Sequence, residues 1–280
     1  MSYANMVLHL DRGPRASASI DVAVAIATRH KARISALYSS ESIVLPRQSG
    51  DGFIPEDLLK SIIANNRAAS AAEAKTVMTA FTEAAAKANV PVTWREVVGD
   101  PSIPLARAGR AADLIVVGQS SGDVPATEVP HPGLAEDIAM ASGAPVLCVP
   151  YVGNYTKLGD RIMVAWDGSR ECARAMRDAL PMLLNASHVM VCSVGDVPAG
   201  RPELAEVGAF LQGHGVKGET HRLAAGGIDV GSALLSALAD YGIDLMVMGC
   251  YGHSRAREFV WGGATRSLLR HMTVPVLFAH

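Results

Sequence analysis

The chain has 280 residues, a length that predicts about two domains, and 49% of them are hydrophobic, which excludes global disorder. Charged residues make up 19% and the formal net charge is −2, so neither a broad nucleic-acid-binding surface nor polybasic attraction to membranes is expected. No apolar run reaches about 18 residues, no signal peptide is visible and the four cysteines lie far apart, so we expect a cytoplasmic protein with reduced thiols.

The first half of the chain alternates apolar strands with helices. The predicted helices cover residues 21–30, 73–88 and 101–112. Residues 42–66 carry two prolines and two glycines, followed by a short predicted helix. We interpret this segment as an insertion, which is either a flap near the strand ends of this half or a solvated loop.

The second half has the same alternation. A strand over residues 161–166 is followed by Asp167-Gly-Ser169, which opens a helix over residues 170–185. Further strands are predicted at residues 187–194, 221–225, 245–248 and 274–279, and further helices at residues 203–213, 229–241 and 265–270. Continuous apolar strands that alternate with helices predict a parallel sheet covered on both faces.

Two segments of the first half recur in the second. Asp113-Leu-Ile-Val-Val-Gly118 matches Asp244-Leu-Met-Val-Met-Gly249, and Ala144-Pro-Val-Leu-Cys-Val149 matches Val274-Pro-Val-Leu-Phe-Ala279. The chain is therefore interpreted as two copies of one domain, residues 1–150 and 157–280, joined by an irregular linker. Ligands of such sheets bind beyond the carboxyl ends of the strands.

The strongest site signal is a glycine pattern after the fourth strand of the second half. Gly249 and Gly252 are followed, after nine residues, by Gly262, Gly263 and Thr265 at the start of a helix. Glycine allows close backbone approach to a ligand, and successive N–H groups before a helix attract an anion. The pattern predicts a phosphate-binding loop, and a mobile glycine-rich connection is the alternative.

With these motifs the two halves resemble the universal stress protein (UspA) family, and the whole chain resembles a tandem form of it. Nucleotide-binding members of the family carry Gly-x2-Gly-x9-Gly-[Ser/Thr] after the fourth strand, an Asp after the first strand and a Pro-Val-Leu-like fifth strand. The second half is similar at Asp167-Gly-Ser169, at its glycines and at Val274-Pro-Val-Leu277. The resemblance implies two flavodoxin-like domains of the adenine nucleotide alpha hydrolase type, each an α/β unit with a five-stranded parallel sheet of order 3-2-1-4-5 and helices on both faces.

The resemblance also implies a ligand, ATP with or without Mg, across the strand ends of the second half. Asp167 would lie near ribose or adenine, the backbone of Val194 would meet adenine, and the glycine loop would hold the phosphates. The implied site consists of Asp167, Val194, Gly249, Gly252, Gly262, Gly263 and Thr265. Gly263 stands where the family has Ser or Thr, which removes one hydroxyl ligand, and Thr265 aligns with a second hydroxyl position.

The first half keeps the scaffold but lacks this loop. Three prolines follow Gly118 at positions where a nest needs N–H donors, and Asp123 and Glu128 would repel a triphosphate. We predict that this half does not bind ATP. The family resemblance implies that it pairs with the second half along the fifth strands as an intramolecular pseudo-dimer, and a further homodimer is left open.

The sequence is compatible with three alternative functions. With no Walker A motif and no evident base at the glycine loop, the first is a stress-response regulatory protein that binds ATP with at most slow hydrolysis. The second is a nucleotide-free interaction module in which both sites have lapsed. The third, a serine hydrolase, depends on Gly118-Gln-Ser-Ser-Gly122 alone, and a proline-rich segment follows where that motif needs a helix.

The histidine and cysteine patterns bear on metal binding and on redox chemistry. The nine histidines form no HxxxH or HExxH pair, so no metal site is predicted. Cys250, which follows Gly249, is either a redox-sensitive thiol or an inert small residue in a tight loop.

Overall fold

The computed structural model describes residues 2–13, 16–40, 56–119, 131, 133–151, 153, 155, 157–224, 226–250 and 268–280. In the first half these residues form β1 (Asn5–Leu10), α1 (Ala16–His30), β2 (Arg33–Ser40), α2 (Glu56–Lys87), β3 (Val92–Val98), α3 (Ser102–Gly109), β4 (Leu114–Gly118), α4 (Leu134–Ser142) and β5 (Val146–Val149). In the second half they form β6 (Arg161–Ala165), α5 (Arg170–Asp178), α6 (Leu180–Leu183), β7 (His188–Val194), α7 (Leu204–Gly213), β8 (Gly218–Leu223), α8 (Val230–Asp240), β9 (Leu245–Gly249) and β10 (Val276–Ala279).

All ten strands belong to one sheet with the order β3-β2-β1-β4-β5-β10-β9-β6-β7-β8. Within each half the strands are parallel and follow the predicted order 3-2-1-4-5, which confirms the predicted fold class. The two halves meet where β5 and β10 pair antiparallel, with Leu147 opposite Leu277.

The sheet is buried on both faces. One core contains side chains of α1, α2, α5, α6 and α7, and the other contains side chains of α3, α4 and α8. Because helices cover both faces, the central strands are mainly apolar, and the first four residues of β9 are all buried. In the described residues, no helix has the length and apolar character needed to cross a bilayer.

Helix α2 is longer than the sequence pattern predicts. It has 32 residues, a length of about 48 Å, and it begins at Glu56 instead of at residue 73. Its buried residues begin only at Ala74 and continue at helical spacing with Met78, Phe81 and Ala85. Residues 56–66, where a short helix was predicted at the end of the insertion, are the first turns of α2. The continuation of this helix to residue 73 was not predicted, because no residue from 57 to 73 is buried. Residues 42–55 lie outside the described residues.

Two other boundaries differ for local reasons. The predicted helix 170–185 is divided into α5 and α6 around Pro181, which has no N–H to donate to the preceding turn. Strand β8 begins at Gly218, three residues earlier than predicted, because this edge strand is largely exposed and carries little apolar signal.

Side-chain hydrogen bonds also join the halves. The Tyr3 hydroxyl donates to the Asp178 carbonyl at 2.8 Å, and Arg29 Nη1 donates to the Leu158 carbonyl at 2.8 Å. Gln119 Nε2 donates to the carbonyls of Leu269 and Arg270 at 2.6 and 3.1 Å. Gln119, a residue of the hydrolase-like motif, therefore caps the end of a helical segment in the other half.

Candidate functional site

The carboxyl ends of β9, β6 and β7 lie side by side in the second half. Strand β6 is central, and the chain order reverses there, which makes this edge the switch point where ligands of parallel sheets bind. Asp167 follows β6 by two residues, Val194 ends β7 and Gly249 ends β9. The structure thus brings three of the predicted site residues to one edge. The other four, Gly252, Gly262, Gly263 and Thr265, lie outside the described residues.

A tight turn positions the Asp167 carboxylate. Oδ1 accepts a hydrogen bond from the Ser169 N–H at 2.8 Å, and Gly168 between them has a φ of +72°, which favours glycine. Ser169 in turn caps α5, because its Oγ accepts the Cys172 N–H at 3.2 Å. The sequence Asp-Gly-Ser therefore fixes a carboxylate at the strand end and starts the helix behind it.

Arg201 is a neighbour of this carboxylate that sequence reasoning missed. Its Nη1 donates to the Asp167 carbonyl at 2.9 Å and lies 3.5 Å from Oδ2. Trp166 fixes the segment that contains Arg201, because the Trp166 Nε1 donates a hydrogen bond to the Pro202 carbonyl at 2.9 Å. Residues 195–203 are irregular, so no periodic pattern could place this arginine. The Asp167 side chain keeps about a fifth of its surface exposed, at 21%.

The ionisation of Asp167 suits a hydrogen-bond acceptor. Burial raises its pKa, but hydrogen bonds from Ser169 and Cys172 and the charge of Arg201 outweigh burial, so that the pKa lies below the ordinary aspartate value. The carboxylate is ionised at neutral pH and has acceptor capacity only.

This shift predicts a pH-dependent contribution to stability. A carboxylate whose pKa is lower in the folded state stabilises the fold above its unfolded pKa, near pH 4, and this contribution is lost as the pH falls through the folded pKa. We expect the urea midpoint of the wild type to fall more steeply below pH 4 than that of Asp167→Asn. Parallel curves for the two proteins would contradict the prediction.

Gly249 is required by close packing. A Cβ atom at this position would lie 2.5 Å from the main-chain N of Cys172 and 2.7 Å from the carbonyl carbon of Glu171. These are backbone atoms of the first turn of α5, and no side-chain rotamer change can relieve a clash with them. The end of β9 therefore lies directly against the start of α5, where the helix dipole is positive.

Cys250 is an inert thiol in this structure. Its side chain is buried, its Sγ lies 3.4 Å from the Ala279 carbonyl, and burial raises the pKa of the thiol to about 12. Burial raises the pKa of Cys172 and Cys192 to about 12 as well, and it also raises that of Cys148. Because the thiolate is the reactive form, the interpretation of Cys250 as a redox-sensitive thiol is not supported.

A thiol titration tests this. All four cysteines are free and buried. The native protein is expected to react with Ellman's reagent at neutral pH only at the slow rate of global unfolding, and all four thiols should react promptly in denaturant. Rapid reaction of one native thiol, mapped to Cys250 by mass spectrometry, would contradict the burial described above.

The strand ends of the first half differ in chemistry. Asp11 corresponds to Asp167 and its Oδ1 accepts the Gly13 N–H at 2.8 Å. However, β1 carries His9, whose Nε2 lies 2.8 Å from Ser39 Oγ. Burial lowers the pKa of His9 to about 4, with Asp11 opposing this shift, so the ring is neutral at pH 7. The predicted obstructing segment, residues 120–130, lies outside the described residues.

Comparison with known structures gives the same fold over nearly the whole chain. A universal stress protein from Archaeoglobus fulgidus superimposes with a TM-score of 0.72 at 17% identity, covering 98% of this chain and 95% of that one. A functionally unknown protein from Pseudomonas aeruginosa has a TM-score of 0.57 at 13% identity, covering 99% and 92%. At these identities the likeness concerns the fold alone.

Sequence comparison matches part of the chain. The model of the universal stress protein family matches residues 159–280. The universal stress protein Slr1230 of Synechocystis is 31% identical over 121 residues, a match that covers 42% of this chain and 41% of that protein. The match thus spans about two fifths of the length of this relative. Residues 159–280 therefore belong to the universal stress protein family, and the chain as a whole has the fold of one of its members.

Proposed function

We propose that the second half of this chain binds ATP at the carboxyl ends of β6, β7 and β9, and that occupancy serves a regulatory role in a stress response. The nucleotide would contact Asp167, Val194, Gly249, Gly252, Gly262, Gly263 and Thr265. The first half would not bind ATP and would act as the partner of the second half through the pairing of β5 with β10.

The convergence of Asp167, Val194 and Gly249 at the switch point of the sheet carries this proposal. The glycine segment continues from Gly249 in the sequence, with Gly252, Gly262 and Gly263 placed 3, 13 and 14 residues later, so the chain enters it from this edge. The start of α5, with its positive dipole, lies against the same strand end. The end of β9, beside the start of α5, therefore suits an anionic ligand.

The described residues fit the nucleoside end of such a ligand. Asp167 is ionised and partly exposed, so it would accept hydrogen bonds from ribose hydroxyls or from the adenine amino group. Arg201 Nη1 donates a hydrogen bond to the main-chain carbonyl of Asp167. The same nitrogen lies 3.5 Å from Asp167 Oδ2, longer than a strong hydrogen bond, so this oxygen keeps acceptor capacity for a ligand. The described residues supply binding and orientation, and the sequence from Gly249 to Thr265 contains no lysine for phosphoryl transfer, so turnover is expected to be slow at most.

The test is nucleotide content and affinity. Denaturing the purified protein should release adenine nucleotide, or calorimetry should show one ATP site per chain. Gly252→Val, which blocks backbone approach in the glycine segment, should abolish that binding while the thermal midpoint is retained. Absence of released nucleotide together with no binding at millimolar ATP would favour the nucleotide-free interaction module instead.

A further inference from the structure

The first half contains a cavity of about 440 Å³ that is open to solvent, on the opposite side of its sheet from α1 and α2, and Arg33, Ser35, Thr93 and Arg95 in its lining are exposed. It lies between β1, β2 and β3 and the end of α3. Its apolar wall includes Leu37, Ala108, Ala111 and Ala112. The volume is within the range of small-molecule sites, about 300–1,000 Å³.

A polar strip forms the floor of this cavity. Ser35 and Thr93 are opposite each other on β2 and β3, and their hydroxyl oxygens are 3.2 Å apart. Arg33 precedes Ser35 by two residues and Arg95 follows Thr93 by two, so both arginines share the face of this pair, at diagonal positions that long side chains reach. Arg33 Nε donates to Asn5 Oδ1 at 2.6 Å, which orients its guanidinium.

At the equivalent positions of the second half, the protein itself supplies a carboxylate, that of Glu219. The ladder registers align Arg33 with His188, Thr93 with Glu219 and Arg95 with His221. Glu219 Oε1 lies 3.2 Å from His188 Nε2 and 3.3 Å from His221 Nε2. In the second half a carboxylate thus stands between two basic side chains. The first half has permanent cations on both sides and only a hydroxyl between them.

No carboxylate replaces Glu219 in the first half. Among the residues that the structure describes, neither Arg33 nor Arg95 forms an ion pair with Asp or Glu. The position between the two guanidiniums therefore has the charge and the hydroxyl donors for a carboxylate, but the chain does not provide one.

The comparison of the two halves also explains the volume of this cavity. Ser35 aligns with Met190, which is fully buried in the second half. Ala112 aligns with Ile243, since each precedes an aspartate, Asp113 or Asp244, that accepts N–H groups at the start of the first strand. Ile243 is also buried. Smaller residues at both positions in the first half leave the volume open.

We propose that this cavity binds a small organic acid. Its carboxylate would lie over the Ser35–Thr93 pair between Arg33 and Arg95, in the place that Glu219 takes in the second half. Its apolar body would fill the space beside Ala108, Ala111 and Ala112. This site lies in the half that is not expected to bind ATP, and it is independent of the nucleotide site.

Hexanoate is the probe, with hexanamide as its neutral counterpart of equal length. Titration of the full chain, followed by the amide resonances of Ser35, Thr93 and Ala112, should give saturable shifts with millimolar hexanoate and none with hexanamide. Thr93→Glu and Ala112→Ile introduce the residues of the second half, and each should weaken hexanoate binding by roughly tenfold or more. Thr93 is exposed on an edge strand, so its replacement should leave the fold intact.

Arg107→Gln is the matched control, because Arg107 is an exposed arginine of α3 that does not line the cavity. It should bind hexanoate as the wild type does. The proposal would be overturned by equal shifts with hexanamide, by unchanged affinity in Thr93→Glu, or by saturation with inorganic phosphate and not with hexanoate. ATP affinity measured on the same variants should stay constant, which separates this result from the proposed function.

Discussion

Gly249→Ala is expected to destabilise the protein by about 3 kcal/mol, a large effect for the addition of one methyl group. The new Cβ would lie 2.5 Å from the Cys172 nitrogen, 2.7 Å from the Glu171 carbonyl carbon and 3.0 Å from the Cys172 Cα. No rotamer change relieves a clash with backbone, so α5 must move away from β9. That movement would open the core packed between them. The measurement is urea unfolding followed by circular dichroism.

The internal repeat provides a matched control. Gly118 ends β4 as Gly249 ends β9, but among the described residues a Cβ at Gly118 would meet only Ser19 Oγ, at an ordinary 3.5 Å. Gly118→Ala should therefore change the free energy of unfolding by less than about 1 kcal/mol. Similar losses in the two variants would show that the requirement is for glycine backbone freedom at both strand ends and not for close packing at one.

Asp167→Ala is expected to weaken ATP binding by roughly tenfold or more, because hydrogen bonds to an ionised group contribute about 1.5–3 kcal/mol each. The variant removes the carboxylate and leaves the glycine segment unchanged. It also removes the bond to the Ser169 N–H, so its thermal midpoint must be compared with that of the wild type. Calorimetry at a temperature where both proteins are folded measures the affinity.

Asp11→Ala is the control for this experiment. Asp11 holds a turn of the same kind in the first half, with its Oδ1 at 2.8 Å from the Gly13 N–H. We expect this variant to lose comparable stability and to retain full ATP affinity. Loss of affinity in Asp11→Ala and not in Asp167→Ala would place the nucleotide in the first half and contradict the proposed function.

Periodicity and the internal repeat predicted parallel sheets covered by helices on both faces, whereas the strand order 3-2-1-4-5 was predicted only through the resemblance to the universal stress protein family. The apolar segments that recur before Gly118 and Gly249 mark the fourth strand of each half. The sequence did not show that the short helix of the insertion and the helix from residue 73 are one element, α2, since residues 57–73 bury no side chain. Edge strand β8 was misplaced for the same reason.

Within the candidate site, the sequence predicted only the arrangement that residues close in sequence form with one another. Asp167 and Ser169 form their turn within three residues, so the motif was readable directly. Arg201 reaches Asp167 across 34 residues and an irregular segment, and Gln119 reaches the opposite half across 150 residues. Such contacts depend on how elements pack and leave no pattern in neighbouring residues.

The antiparallel contact of β5 with β10 lies within a single polypeptide. Its formation is unimolecular, so dilution does not dissociate it as dilution dissociates separate subunits. The tenth strand consequently keeps a neighbour on each side at any cellular abundance of the protein, and neither half has to find a second molecule before its central strands are covered.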